Sequence, residues 1–246
     1  MKAWQIVSIG KGMVGRAVIC IAGSIAMLKM GPMVMMALSM LISIAIYAVA
    51  FGLQFAVGFV LLLFAHEYGH LIASRVAGIK VSNPIFIPFI GAVIRIKELP
   101  RNAKIEANIA IGGPAMGTLS ALVCLACYLW TNSMLMLVLS YTACLLNLFN
   151  LIPCDPLDGG RIAAAISPRL WWLGSIVMGI LFVYTYNFFV FIILIFSLFR
   201  LWKNDTSAAL PYYQLTTSQR LAVGWWYFGL VIVLGGTTLY ISGMLN

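Results

Sequence analysis

Charge is what this chain has least of. Only 9% of its 246 residues are Asp, Glu, Lys or Arg, against about 25% in an ordinary soluble domain. Apolar residues make up 63%, where ~45–50% is usual, and the mean hydropathy is +1.04. This excludes both a water-soluble globule and a disordered chain. A span needs ~20 apolar residues, so the length accommodates roughly six to eight spans with short loops and no large soluble domain. Acids are scarcer than bases, 6 against 15, for a net charge of +9. The bases sit between apolar runs, so the asymmetry reads as the positive-inside rule rather than as a nucleic-acid footprint. No nucleic-acid partner is expected. Cysteines are few and odd in number: Cys20, Cys124, Cys127, Cys144 and Cys154. All five lie in or beside apolar runs, which argues against a disulfide framework. Cys124 and Cys127 form a CxxC with no second pair, and they read as small buried hydrophobes. Histidine is scarcest among the informative residues, with His66 and His70 alone. No internal repeat or low-complexity tract is present, and the first 30 residues lack the order of a cleavable signal peptide.

Pro, Gly and charge breaks divide the chain into apolar runs. These are Val14–Leu28, Met33–Ala50, Gln54–Val76, Ala107–Trp130, Met134–Ile152, Leu170–Tyr186, Phe188–Trp202 and Leu221–Met244, with a mixed stretch at Lys80–Lys104. Val14–Leu28 is short and carries Arg16, so it is expected to lie in the interface or to dip in and return. Seven spans remain, with the N-terminus inside and the C-terminus outside. In that arrangement all 15 basic residues face the cytoplasm. The chain then divides into an interfacial or re-entrant segment at 1–32, a core at 33–203, and a loop and last helix at 204–246. The last helix is expected to pack outside the core or to make subunit contacts. Its Trp225, Trp226 and Tyr227 look like an interfacial aromatic belt.

Both histidines fall in Phe64-Ala65-His66-Glu67-Tyr68-Gly69-His70, an HExxH inside an apolar run. Residues four apart share one helical face. Two imidazoles so placed can hold one zinc ion, with the intervening glutamate within reach of the water beside it. An ionisable residue within an apolar span is costly and usually functional. His66 precedes Arg75 by nine residues, which puts the site ~14 Å from the charged helix end at ~1.5 Å per residue. Water must then arrive through a protein-lined cavity.

A third ligand should be an acid, and the acids are Glu67, Glu98, Glu106, Asp155, Asp158 and Asp205. Glu98 and Glu106 are expected to pair with Lys97, Arg101 or Lys104 at the surface, and Asp205 lies in a polar loop. Asp155 and Asp158 remain, within Asn150-Leu151-Ile152-Pro153-Cys154-Asp155-Pro156-Leu157-Asp158-Gly159-Gly160-Arg161. The prolines break a helix at membrane depth, which is tolerated where the backbone is buried or lines a cavity.

HExxH together with N-x-x-P-x-x-P-x-D-G-G-R at Asn150–Arg161, Gly113-Pro114 opening the helix between them, and Pro88-Phe89-Ile90-Gly91 resembles the site-2 protease family of intramembrane zinc metalloproteases. The resemblance covers roughly Met33 to Lys203. It implies an all-α polytopic membrane protein: a six-helix core, here with an extra C-terminal span and a small membrane-associated β-hairpin. It implies that His66, His70 and Asp158 bind one Zn2+ per chain. Glu67 is implied as catalytic acid/base, and Asn150 as a catalytic residue holding the substrate or the developing oxyanion. The motifs fall on the second, third and fourth spans. The implied partners are a single-span membrane protein substrate and the lipid bilayer, with homo-oligomerisation left open. The implied location is the cell membrane, with the site opening toward the cytoplasm. One departure is Asp155, usually apolar in the family, which reads as a helper of the site, a competing ligand or a cytosolic-edge charge. Cys154 is a weaker alternative ligand. The alternation in Lys80–Lys104 reads as a hairpin turning near Pro88–Gly91, with an edge that could pair with an unwound substrate. Two other functions fit a membrane zinc site: an inactive binder of transmembrane segments, whose motif would be damaged, and a metal transporter, which would need several ligand clusters along a path.

Overall fold

The computed structural model describes residues 31–88, 91–93, 98, 100–203 and 211–245. The Val14–Leu28 segment and its flanking bases lie outside these residues, as do Arg95, Lys97 and Asp205.

Each apolar run from Met33 onward becomes a helix. Helix α1 is Pro32–Phe51, with its proline at the first turn where the missing N–H has no partner to lose. Gly52 turns the chain with a φ of 83°, a conformation glycine adopts without a Cβ penalty. Helix α2, Leu53–Val76, starts at once and carries both histidines. Strands β1 (Ile85–Ile87) and β2 (Gly91–Val93) pair antiparallel, with Phe86 opposite Ala92. Helix α3 is Ala103–Thr131, begun by the Asn102 side chain, which accepts from the Ile105 N–H. Helices α4 (Met134–Asn150), α6 (Leu170–Thr185) and α7 (Phe188–Lys203) are shorter. Helix α8 is Thr217–Leu245, preceded by a 3-10 turn at Pro211–Tyr213. Among the described residues, α1, α2, α3 and α8 are long and apolar enough to cross a membrane. With the shorter apolar helices, they make the chain a multi-pass membrane protein.

Three details depart from the sequence expectation. Gly113-Pro114 does not open a helix but lies inside α3, which begins ten residues earlier. A short helix, α5 (Asp158–Ile166), emerges from the proline motif. And α8 packs on the core rather than beside it. It lies against α3, α4 and α5, and places Val223, Leu230 and Leu234 in the main buried cluster. Arg220 ties its start to the core by donating to the carbonyls of Ala165, Ile166 and Tyr213. Trp225 and Trp226 are exposed, as a belt requires, but Tyr227 is buried and donates to the Leu151 carbonyl at 2.7 Å.

That last bond belongs to the 151–157 turn, where backbone at membrane depth needs partners. Glycines bring its neighbours close: a Cβ on Gly159 would lie 2.2 Å from the Leu151 carbonyl oxygen, and one on Gly174 would lie 2.1 Å from that of Pro153. Trp171 Nε1 donates to the Gly160 carbonyl at 2.8 Å. The turn is thus held rigidly just ahead of Asp158.

Candidate metal centre

Four elements build the site. Helix α2 presents His66 and His70 one turn apart, with Glu67 half-buried on the same turn. Helix α3 approaches α2 backbone to backbone: a Cβ on Gly69 would sit 2.1 Å from the Gly112 carbonyl oxygen, and one on Gly112 would sit 2.5 Å from that of Gly69. Small residues permit such contact where no side chain fits. One residue on, Gly113 leaves the space the imidazoles occupy, since a Cβ there would lie 2.2 Å from His70 Nε2 and 2.8 Å from His66 Nε2. Helix α4 and the turn after it deliver Asp158 to the first turn of α5.

The distances converge. Asp158 Oδ2 is 3.2 Å from His66 Nε2 and 3.2 Å from His70 Nε2, and the two Nε2 atoms are 3.2 Å apart. The far side of each ring is held as well: His66 Nδ1 is 2.9 Å from Asn147 Oδ1, and His70 Nδ1 is 2.9 Å from the Ile109 carbonyl oxygen. Among the described residues this is the group of His, Cys, Asp or Glu side chains that could hold a metal ion. The set fits zinc. Two ligands ~2.0–2.1 Å from a tetrahedral zinc stand roughly 3.3 Å from each other, and two imidazoles with one carboxylate leave a fourth position open, as in catalytic sites. The edges of the triangle match that spacing, and Gly113 keeps its interior clear.

The other candidates go elsewhere. Asp155 is not in the cluster; its Oδ2 lies 3.3 Å from Arg200 Nε on α7, which makes it an anchor between the turn and that helix. Cys154 is fully buried in a separate apolar cluster with Met178 and Val190. Glu98 is 3.5 Å from Lys80 in an exposed pair, of a kind that contributes little. Glu106 accepts from the Tyr212 hydroxyl at 2.8 Å. Among the described residues, neither acid pairs with Arg101 or Lys104; their partners lie farther along the chain. Asn150 ends α4 half-buried, and its side chain has no hydrogen-bond partner among the described residues. The residue that sequence reasoning missed is Asn147. A buried asparagine one turn before Asn150, on a helix otherwise almost wholly apolar, is the signal that could have found it.

Residues 54–134 match the model of Peptidase family M50. A zinc metalloprotease of Methanocaldococcus jannaschii is 36% identical over 119 residues, 45% of this chain and 34% of that protein. Over that part of its length the chain is similar to zinc metalloproteases of the M50 family. Two further relatives match about half of the chain. Rip3 of Mycobacterium tuberculosis is 34% identical over 129 residues, 48% of this chain and 33% of that protein. The chloroplastic protein EGY2 of Oryza sativa subsp. indica, named a probable zinc metalloprotease, is 28% identical over 184 residues, 55% of this chain and 34% of that protein. The chain thus spans about a third of the length of the curated relatives it matches. A solved site-2 protease from M. jannaschii covers 78% of the chain and 84% of its own, at 23% identity and a TM-score of 0.43.

Proposed function

We propose that this chain is an intramembrane zinc metalloprotease that hydrolyses peptide bonds within or near the transmembrane segments of single-span membrane proteins, in the manner of regulated intramembrane proteolysis. The observation that carries the proposal is the convergence of His66, His70 and Asp158 within 3.2 Å of one another, beside Glu67, inside apolar helices. His66, His70 and Asp158 would hold one zinc ion. Bound there, zinc supplies a Lewis acid that polarises a peptide carbonyl and acidifies water. Glu67 takes the proton of the attacking water as general base and returns it to the leaving amine. Asn150, with its amide uncommitted, donates to the substrate carbonyl as negative charge develops on its oxygen. The intact Glu67 weighs against an inactive binder, and the single ligand cluster among the described residues weighs against a transporter. The distribution of bases supports a cell-membrane location with the site opening to the cytoplasm.

A substrate helix hides its carbonyls in its own hydrogen bonds, so it must unwind before cleavage. The hairpin offers a place to receive it. The Phe86 N–H already donates to Ser39 Oγ on α1 at 3.1 Å, which occupies the outer edge of β1. Phe86 and Ala92 are opposite each other, so Ala92 turns its backbone groups to the outer edge of β2. Among the described residues, that edge is the one left for strand addition. Proline at a position facing outward leaves the ladder intact. Ala92→Pro is therefore expected to abolish cleavage with zinc content unchanged, measured by metal analysis and cleavage on one preparation. Wild-type cleavage by this variant would remove the hairpin from substrate binding.

The proposal itself is tested by incubating the full chain in liposomes with a panel of single-span peptides. Cleavage should stop on chelation and return with one equivalent of zinc. Cleavage that survives complete zinc removal would refute the reading.

A further inference from the structure

The histidines of the cluster are backed by two different kinds of acceptor. Behind His70 stands a backbone carbonyl, that of Ile109, which any residue at that position would supply. Behind His66 stands a side chain, Asn147, which is 1% exposed. We infer that Asn147 is the positioning residue of this centre: it fixes His66 with its proton on Nδ1, so that the Nε2 lone pair faces the metal position, and Gly117 exists to give it room. The inference rests on the zinc-protease reading only for its consequence, since the hydrogen-bond argument stands without metal.

The argument is one of forced donors and acceptors. Asn147 Nδ2 lies 2.7 Å from the Ala143 carbonyl oxygen. A carbonyl only accepts, so the amide must turn its NH2 to Ala143 and its oxygen to His66. That oxygen, 2.9 Å from His66 Nδ1, can only accept in turn, so Nδ1 must carry the proton. The Ile109 carbonyl imposes the same state on His70. Both Nε2 atoms then offer lone pairs toward Asp158 Oδ2, the arrangement a cation relieves. A histidine ligand whose other nitrogen donates to a fixed acceptor has its ring orientation and tautomer set.

The amide has no freedom to rearrange. A Cβ on Gly117 would lie 2.1 Å from Asn147 Oδ1, 2.3 Å from Nδ2 and 2.4 Å from Cγ. Gly113 and Gly117, one turn apart on α3, thus form two adjoining slots, one for the imidazoles and one for the amide that holds them. Without Asn147, the neutral His66 ring gains by moving its proton to Nε2, where the Asp158 carboxylate accepts it and where it blocks the metal.

The test uses the full chain in detergent with 15N-labelled histidine. Two histidines give two ring systems, resolved without further assignment beyond one His70 variant. In the metal-free wild type, at a pH where the rings are neutral, both Nδ1 atoms should be protonated. In Asn147→Leu, which keeps the branching and the number of heavy atoms but loses the polar groups, the His66 proton should move to Nε2 while His70 stays as it was. Zinc affinity by chelator competition should fall ~10–100-fold. Gly117→Ala is a second route to the same loss and keeps the test open if the leucine variant folds poorly. An unchanged His66 tautomer in a folded Asn147→Leu, or zinc affinity within about twofold of wild type in both variants, would overturn the inference. A wild type that binds no zinc but shows the His66 proton moving in Asn147→Leu would sink the protease reading and leave Asn147 in its role.

Discussion

Glu67→Gln is expected to bind zinc as the wild type does and to cleave ~10²–10⁴-fold more slowly, the usual contribution of a positioned general base. Glutamine keeps the length and shape of the side chain but cannot take a proton. Glu67 lies between the two histidines in sequence and is not in the ligand triangle, so its loss should leave zinc binding alone. The separation of the two readouts is what gives the variant its force. Cleavage by Glu67→Gln at the wild-type rate would assign the base to another group. Loss of zinc together with cleavage would instead place Glu67 among the ligands.

The second large effect concerns a residue with no side chain. Gly113→Ala adds one methyl group 2.2 Å from His70 Nε2 and 2.8 Å from His66 Nε2, closer than any relaxed contact allows. The imidazoles cannot remain where they converge with Asp158. Zinc affinity is expected to drop ~100-fold or more, beyond what disturbed ligand orientation alone produces, with cleavage lost in parallel. Gly179→Ala on α6 is the matched control, since nothing lies within 4 Å of its added Cβ. That variant should be neutral or slightly stabilising, by up to ~1 kcal/mol for glycine to alanine in a helix. Parallel thermal unfolding and chelator competition on the two variants check both expectations. Equal zinc affinity in the two would mean that α3 does not wall the centre as described.

The long helices were legible from the sequence because each is a long apolar run bounded by Gly, Pro, Asn or charge, and this signal survives any tertiary arrangement. The ligand candidates were legible for a different reason, namely scarcity. Two histidines and six acids leave few ways to assemble a metal site, and His66, His70 and Asp158 do come together. What escaped was set by register between helices. Nothing local to Gly113 or Gly117 says that one faces imidazoles and the other an amide; that depends on how closely α3 lies against α2 and α4. Asn147 escaped because its partner His66 lies 81 residues away in sequence, on another helix. Helix α5 was hidden because Asp158-Gly159-Gly160 begins it, and glycines are poor helix formers that here serve close packing against the 151–157 turn. The partners of Asp155 and Glu106, Arg200 and Tyr212, are 45 and 106 residues away by their numbering, beyond the reach of local charge pairing. The same non-local packing brings α8 into the core through Tyr227 and Arg220.

The most direct measurement is X-ray absorption at the zinc edge on the full chain in liposomes, with metal content determined on the same sample. One zinc per chain is expected, with only nitrogen and oxygen neighbours at ~2.0–2.2 Å, from two imidazoles, a carboxylate and an open fourth position. A chain that takes up no zinc would contradict the account. So would a sulfur neighbour at ~2.3 Å, which would move the metal to a cysteine such as Cys154 and away from His66, His70 and Asp158.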